Sequence, residues 1–504
     1  MKKTKKTLLL AMLLLSMSFS AMPTYVAPVK ETKVEAETTA IPISNADELY
    51  NINNDLGGSY YLTADIDMQS YGRWEPIEDF YGTLDGNGHA IKNLTTVTDK
   101  DNSGLFGSVG GNATIKNLAM VNASITGYYA GGIVGRVEKY TYSSDNVLAD
   151  GTITIKNCYV SGVVIGKGYD RGGILGGYRY FNGVVNISNC FNESIECRGG
   201  IVGSEEDAGS DAILTIENCY NAADCYFGGI AEKLRGTIRN CYSTGNIVNS
   251  EHPSYILGGV AEYAYENAYL LNCYYLRDTK RQINLNNKGV GYTNAVSGQT
   301  ANALNKDAMK KQESFKDWDF INTWEMVPGV NEGMPVLRSL RQYFKVSTVS
   351  ADKSANKEYT EAFSVTLNAE EGVEVYYTTD GTKPTKTSMV YTEPIDISEN
   401  TTLKYITTKE GYKDSSVTIK NYRLRTPKAT VNKKGGTYKK KVSVRLTAPE
   451  DTTIYYTTNG KIPTKKSKVY KGKLKLKKTT TLKFMTIKEG WSRSEVTTVR
   501  YVIK

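Results

Sequence analysis

Histidine is nearly missing: His89 and His252 are the only two in 504 residues. Cysteine is sparse as well, seven in the chain with no C-x-x-C pair among them. So few thiols cannot build a disulfide scaffold, and with no histidine beside them they supply no zinc ligand set. Proline stands at only 12. There is no Gly-x-Ser-x-Gly nucleophile elbow, no phosphate loop and no motif that reads nucleic-acid bases. The apolar run Leu8 to Phe19 is too short for a comfortable membrane span, and polar sequence follows it. At 23% charged and 40% hydrophobic residues, most of the chain belongs with globular proteins, and its length calls for several domains.

Glycine and tyrosine are plentiful, and the glycines are periodic. A Gly-Gly-aliphatic unit recurs at Gly131, Gly172, Gly199, Gly228 and Gly258, after an earlier GLFG at Gly104 to Gly107. A second beat alternates with it: IKNL ending at Leu94 and Leu118, then I/L-x-N-C ending at Cys158, Cys190, Cys219, Cys241 and Cys273. The second glycines of successive pairs lie 41, 27, 29 and 30 residues apart. Such a period signals stacked repeats. Within them, short runs rich in Ile, Val and Tyr are bounded by Gly, Asn, Ser and Asp, with no sustained helical period, so each repeat holds strands. Two or three strands per period fit one turn of a parallel β-solenoid whose coils stack about 4.8 Å apart. The asparagines should then form an amide ladder at a bend, and the Leu and Cys positions an inward ladder. Glycine pairs would permit positive φ or close approach of coils.

The flanks differ. Lys2, Lys3, Lys5 and Lys6 precede the apolar run and small residues follow it, the pattern of an export signal over 1–21, with a flexible spacer over 22–40. No membrane span is expected after signal removal. ISNADELYNINN suggests a short helix, N-capped at Ser44 or Asn45, that covers the open end of the solenoid. Past Leu340, VEVYYTTDGTKPTKTSMVY (Val373 to Tyr391) returns as TTIYYTTNGKIPTKKSKVY (Thr452 to Tyr470), offset by 79 residues without a gap. Each copy alternates in short runs broken by turns, as a small β-sandwich does.

Two resemblances follow. YYLTADIDM, then W-P-I, F-G-T-L-D-G-N-G-H, GLFG and the GGIVG units resemble the secreted bacterial β-helix proteins with GLUG-type repeats, over roughly 41–340. Glu313 to Arg338 looks like the closing segment of such domains. YYTTDGTKPT resembles the immunoglobulin-like module named after the C-terminus of chitobiase and β-hexosaminidase. The first resemblance implies an exported or cell-surface, often adhesin-like protein; the second implies an accessory module without catalytic residues of its own. The expected fold class is therefore all-β: a right-handed parallel β-helix over 41–340, followed by two small immunoglobulin-like β-sandwiches at 344–424 and 427–504.

Charge is uneven. Residues 427–504 carry 21 Lys or Arg against 4 Asp or Glu, a net of +17, while the whole chain is +9. Lys439, Lys440, Lys441, Lys465, Lys466, Lys468, Lys471 and Lys473 are the candidate envelope-binding set, directed at anionic wall polymers, an extracellular glycan or a host surface. A solvated lysine surface that protects edge strands is the competing explanation. Nucleic acid is not an expected partner, and a monomer is expected. The repeat cysteines suit buried thiols; Cys197 and Cys225, just before Gly-Gly units of neighbouring coils, are the pair to test for a bridge.

Tyrosines crowd the repeats, among them Tyr128, Tyr129, Tyr140, Tyr142, Tyr169, Tyr255 and Tyr269. The candidate ligand-binding face is Tyr178, Tyr180, Tyr226, Phe227, Tyr263 and Tyr265, since such rings suit sugar stacking and protein contact alike. Ordinary strand propensity explains tyrosine there too. Glu232 and Glu262 each follow a Gly-Gly unit and should stack one coil apart; Glu205, Glu206 and Asp207 could join them, as a cation- or sugar-binding patch or as solvent-facing turn carboxylates. His89 suits a structural turn. No catalytic residue, metal or cofactor is assigned. The preferred function is a non-catalytic binding or adhesion protein at the cell surface; the alternative is a polysaccharide lyase or glycoside hydrolase with a β-helix catalytic domain and accessory sandwiches.

Overall fold

The corners of the solenoid are asparagines. In the computed structural model, Asn117, Asn157, Asn189, Asn218, Asn240 and Asn272 all have φ between 52° and 54°. Asparagine tolerates this left-handed conformation better than other side-chain-bearing residues. Asn93, on the same sequence beat, falls in another row: it follows the strand Ala90–Lys92, donates to Asp67 Oδ1 at 2.8 Å and accepts from Asn122 Nδ2 at 2.7 Å. Stacking the corners brings the amides into a ladder: Asn117 Nδ2 donates to Asp85 Oδ1 at 3.0 Å, Asn157 to Asn117 at 2.9 Å and Asn189 to Asn157 at 3.0 Å. The structure describes residues 39–97, 101–139, 150–205, 212–248, 257–277, 289–293 and 301–504. The expected signal peptide, the spacer up to residue 38, and Tyr140, Tyr142, Glu206, Asp207, His252 and Tyr255 lie outside the described residues, as do the side chains of Tyr169 and Glu205.

Before each corner runs the first sheet, which pairs Ile115, Ile155, Ile187, Ile216, Ile238 and Leu270 in parallel register. All six are fully buried. After each corner comes the inward Leu or Cys. The five repeat thiols are buried and free, and each contacts the carbonyl two residues back, as Cys158 Sγ does to Lys156 O at 3.2 Å. Cys197 and Cys225 stand opposite each other in neighbouring strands, and both are free and buried. Burial holds the Cys197 thiol up, at about 11.

The second sheet then carries Ala119, Tyr159, Phe191, Tyr220, Tyr242 and Tyr274 in one outward row. The third sheet stacks Phe106, Val134, Leu175, Val202, Ala231, Ala261 and Val290. Three parallel sheets in one repeating circuit make a parallel β-helix. The arch between the second and third sheets holds the Gly-Gly pairs, and none of these glycines has positive φ. Space explains them. A Cβ on Gly131, Gly172 or Gly199 would lie within 2.0 Å of the carbonyl oxygen three residues ahead. A Cβ on Gly173 or Gly200 would strike the buried Asn192 or Asn221 side chain at 2.2 and 2.5 Å. Close approach, not turning freedom, requires glycine here.

At the N-terminal end, Ile41–Ile43 pairs with Ser59–Leu62 and leads into the helix Ala46–Tyr50. Asn45 caps it by accepting from Glu48 N at 3.0 Å, and Glu48 reaches back to Ser44 N at 2.6 Å. Leu49 and Ile52 are fully buried against the first coils, each worth about 1.5–3 kcal/mol. At the other end, residues 305–346 run back along the outward row of the second sheet. Phe344 stacks on Phe191 at 4.4 Å, Tyr343 on Tyr159 at 4.5 Å, and Asn331 Nδ2 donates to Tyr242 Oη at 2.9 Å. The segment thus closes a side of the solenoid.

Two sandwich-like modules follow. Each has a five-stranded sheet, with Thr401–Thr408 central in the first and Thr480–Ile487 in the second, and two short two-stranded pairs. Their cores match across the repeat: Val365 with Val444, Leu403 with Leu482, Tyr405 with Phe484, Tyr422 with Tyr501. Among the described residues no helix is long and apolar enough to cross a membrane.

The corner ladder makes a quantitative prediction. Asn157→Ala removes two amide bonds and leaves alanine in the left-handed region, so stability should fall by about 2 kcal/mol. Asn157→Gly keeps the backbone conformation and should lose only about 1 kcal/mol. Urea midpoints of the two variants test this; equal losses would show that the corner conformation carries no strain.

Candidate functional site

The third sheet is polar where its later coils replace glycine. The register Val202–Ala231–Ala261 puts Glu232 and Glu262 on successive coils at the height of Gly203. Arg198, before the preceding Gly-Gly pair, meets Glu232 through Nε–Oε2 at 2.9 Å and Nη2–Oε1 at 2.8 Å. Both side chains are almost wholly buried, and the guanidinium lies 4.0 Å over the Phe227 ring. An earlier coil repeats the device: Arg136 contacts Glu138 at 2.6 Å, Asn102 donates to Glu138 at 3.2 Å, and Arg136 lies 4.4 Å over Tyr129. Burial raises the carboxyls of Glu78, Glu138, Glu232 and Glu262. Glu232 is pushed up to about 8 against the pull of Arg198, with Glu262 adding repulsion. Glu262 and Glu78 are both raised to about 7, again chiefly by burial.

Glu232 and Glu262 therefore stand together, but Glu232 is 2% exposed and engaged by Arg198. The sequence reading had no sign of Arg198 as the partner and missed Glu78 and Glu138. Their spacing is that of ordinary solvent-facing charges on strands.

The tyrosine set does not form one face. Tyr178 and Phe227 are each 1% exposed and belong to the hydrophobic core, which removes both from any ligand-binding face. Tyr178 stands in register with the buried Val137, and Phe227 alternates with the half-buried Tyr226 along its strand. Tyr226 is half-buried, bonded through its hydroxyl to Glu196 with Arg171 5.1 Å over its ring. Tyr180 is exposed, with φ 50° and Arg179 over it at 4.5 Å. Only Tyr263 and Tyr265 gather, 4.7 Å apart, with Tyr292 stacked on Tyr263 at 4.9 Å. The longest aromatic row is the one under residues 305–346, and it is covered. His89 sits 3.4 Å from Asp65 in its turn.

The lysines lie on the second module, and all eight are exposed. Its five-stranded sheet runs Gly436–Tyr438, Thr497–Ile503, Thr480–Ile487, Thr453–Thr457, Lys468–Val469. Lys439, Lys440 and Lys441 follow one edge strand. Lys465, Lys466, Lys468, Lys471 and Lys473 surround the strand at the opposite edge. The two lysine groups thus stand at the two ends of this strand order, and Lys441 and Lys473 also lead into the paired strands Val442–Val444 and Leu474–Leu476. A cavity of about 700 Å³ lies elsewhere, where residues 305–346 meet the first module; Lys306 and Glu332 in its lining pair with each other.

Comparison with known proteins assigns part of the chain. The family profile of the chitobiase/beta-hexosaminidase C-terminal domain matches residues 354–419 and 433–498. Halomucin of Haloquadratum walsbyi is 39% identical over 137 residues, 24% of this chain and 1% of that protein. An immunoglobulin A1 protease of Streptococcus sanguinis is 27% identical over 260 residues, 46% of this chain and 13% of that protein. The chain thus spans only a small fraction of these relatives. Among solved structures, an immunoglobulin A1 protease-like protein from Bacteroides ovatus has a TM-score of 0.45 at 23% identity, covering 60% of this chain and 94% of its own.

The buried wall should make stability depend on pH. A carboxyl raised on folding binds more protons folded than unfolded, so its contribution falls as pH climbs from about 4.5 through its folded value. Glu262→Gln, neutral throughout, should match the parent near pH 5 and exceed it at pH 8 by about 1–2 kcal/mol. Thermal melts at the two pH values check this; a parent that gains on the variant between pH 5 and 8 would reverse the sign.

Proposed function

We propose that this chain is an exported, envelope-associated binding protein of the GLUG-repeat type, in which the second module engages anionic polymer and the β-helix serves as its extended presenting body. The observation that carries this reading is the pair of exposed lysine patches on a module of net charge +17. A field of that strength on a small domain draws polyanions, and two patches on opposite edges suit a polymer that crosses the module better than a single small ligand. Edge protection alone needs a few lysines per edge strand, not eight.

The enzymatic alternative has less support. Glu232 is held by Arg198, so it is not a free partner for Glu262 in acid–base work on a sugar. Peptide cleavage by a paired-histidine metal motif is also unsupported, because His89 and His252 are far apart in sequence and the motif spaces its histidines by four. What the immunoglobulin A1 proteases do belongs to those proteins, of which the shared stretch is a small part.

Retention of the full chain on purified bacterial cell walls tests the proposal. Binding should be strong at 50 mM salt and lost by about 0.5 M, where screening shortens electrostatic reach to a few ångström. Replacing Lys439, Lys440, Lys441, Lys465, Lys466 and Lys468 with glutamine should abolish retention at 150 mM. Retention that ignores salt and survives those changes would refute it.

A further inference from the structure

The two modules repeat one architecture at an offset of 79 residues, so their differences can be compared position by position. In the first module, Lys386 and Asp414 form an ion pair at 3.0 Å. The equivalent positions in the second are Lys465 and Arg493. Both are exposed, and both line one cavity of about 450 Å³ together with Ile462, Met485, Ile487 and Trp491. Where the first module neutralises a lysine internally, the second sets two cations around one hollow. Two other lining positions turn apolar, Lys383 and Thr408 of the first module corresponding to Ile462 and Ile487 of the second, while Pro384 and Thr385 recur as Pro463 and Thr464. Ile462 stays 61% exposed. Trp491 is fixed at the base of the hollow, because its Nε1 donates to Ser398 O of the first module at 2.7 Å.

We propose that this hollow is a binding site for an acidic saccharide, its carboxylate held between Lys465 and Arg493 and its ring laid on the apolar wall of Ile462, Pro463 and Trp491. Two cations facing one space repel until an anion joins them, which sets the sign of the ligand's charge. The guanidinium presents a fork that fits a carboxylate with two hydrogen bonds. An apolar, aromatic wall favours a ring with C–H faces over a bare inorganic anion. The hollow adjoins the Lys465–Lys473 patch, so a polymer crossing that edge would be read there one sugar at a time. This rests on the proposal that the second module binds polyanions, and it assigns that binding a defined point.

Exchange of the two modules' residues tests it. Arg493→Asp recreates in the second module the ion pair that the first already has, and Lys439→Asp makes the same charge change at the far edge. Trp74, Trp318 and Trp324 are buried at 0%, 7% and 0% exposure, so Trp491 fluorescence reports on the hollow. A galacturonate tetramer titrated into the full chain at 150 mM salt should change that fluorescence, whereas a neutral galactose tetramer and inorganic phosphate should not. Arg493→Asp should weaken galacturonate binding at least tenfold, and Lys439→Asp less than threefold. Equal losses for Arg493→Asp and Lys439→Asp would overturn the site while leaving diffuse polyanion attraction intact. Phosphate binding as tightly as galacturonate would overturn the saccharide assignment. Loss of salt-sensitive wall retention in the parent would remove the underlying reading instead.

Discussion

The β-helix depends on one backbone conformation held at one place in every coil. A left-handed residue between the first and second sheets turns the chain, and asparagine supplies it, with amides that from Asn117 to Asn189 also bond between coils. Because that corner recurs in register, the residue after it always points inward and the next always points outward. The inward ladder is therefore Leu and then Cys, small enough for the narrowing at the corner. The outward ladder becomes Tyr159, Phe191, Tyr220, Tyr242 and Tyr274, a strip of aromatic faces that water cannot be left to cover. Residues 305–346 exist in their observed path because that strip does.

The opposite arch shows a different economy. There the chain approaches itself so closely that glycine is required at both positions of each pair, with side chains such as Asn192 and Asn221 packed against the second. Charged residues on the adjoining strands are sealed in with little water. A buried ion pair of this kind repays the loss of hydration only with good geometry, and removing one partner strands the other. Arg198 and Glu232 meet that condition with two short bonds and a ring beneath the guanidinium. Burial nevertheless raises Glu232, and it raises Glu78 and Glu262 as well. We read these charges as fixing the register of neighbouring coils, since a slip of one residue would bury them unpaired.

Much of the fold was legible in the sequence because repeats write the same constraint several times. The Asn before Leu118 and before each repeat Cys announced the corner, though the same beat at Leu94 falls on the second sheet, and the gapless 79-residue offset announced the modules. The Gly-Gly pairs announced a special site without saying which of two glycine properties mattered; only the distances to carbonyl oxygens settle that in favour of close approach. Side-chain direction was the weak point. Proximity to a glycine pair made Tyr178 and Phe227 look like surface residues, yet the arch turns them into the core. Tyr159, Tyr220, Tyr242 and Tyr274 follow the Asn-Cys beat and were the better aromatic row, but a row that another segment covers cannot be told from an exposed one without the path of residues 305–346.

The tandem modules carry a different kind of information. Each is joined to its own leading strand in the same way: Val346 N donates to Lys413 O at 2.8 Å in the first, and Thr426 N to Ser492 O at 2.9 Å in the second. Each also sends one aromatic residue back to the preceding element, Tyr412 to Glu325 at 2.8 Å and Trp491 to Ser398 at 2.7 Å. Core, joint and strand order are thus held constant between the copies, so structure alone demands the same residues at equivalent positions. Where the copies differ without any change in core or joint, stability gives no reason for the difference. Asp414 against Arg493 is such a position, and so is Lys383 against Ile462. At Arg493 the second module has replaced one half of an internal ion pair by a second cation, and at Ile462 a cation by an apolar side chain, both beside the joint that holds Trp491 in place.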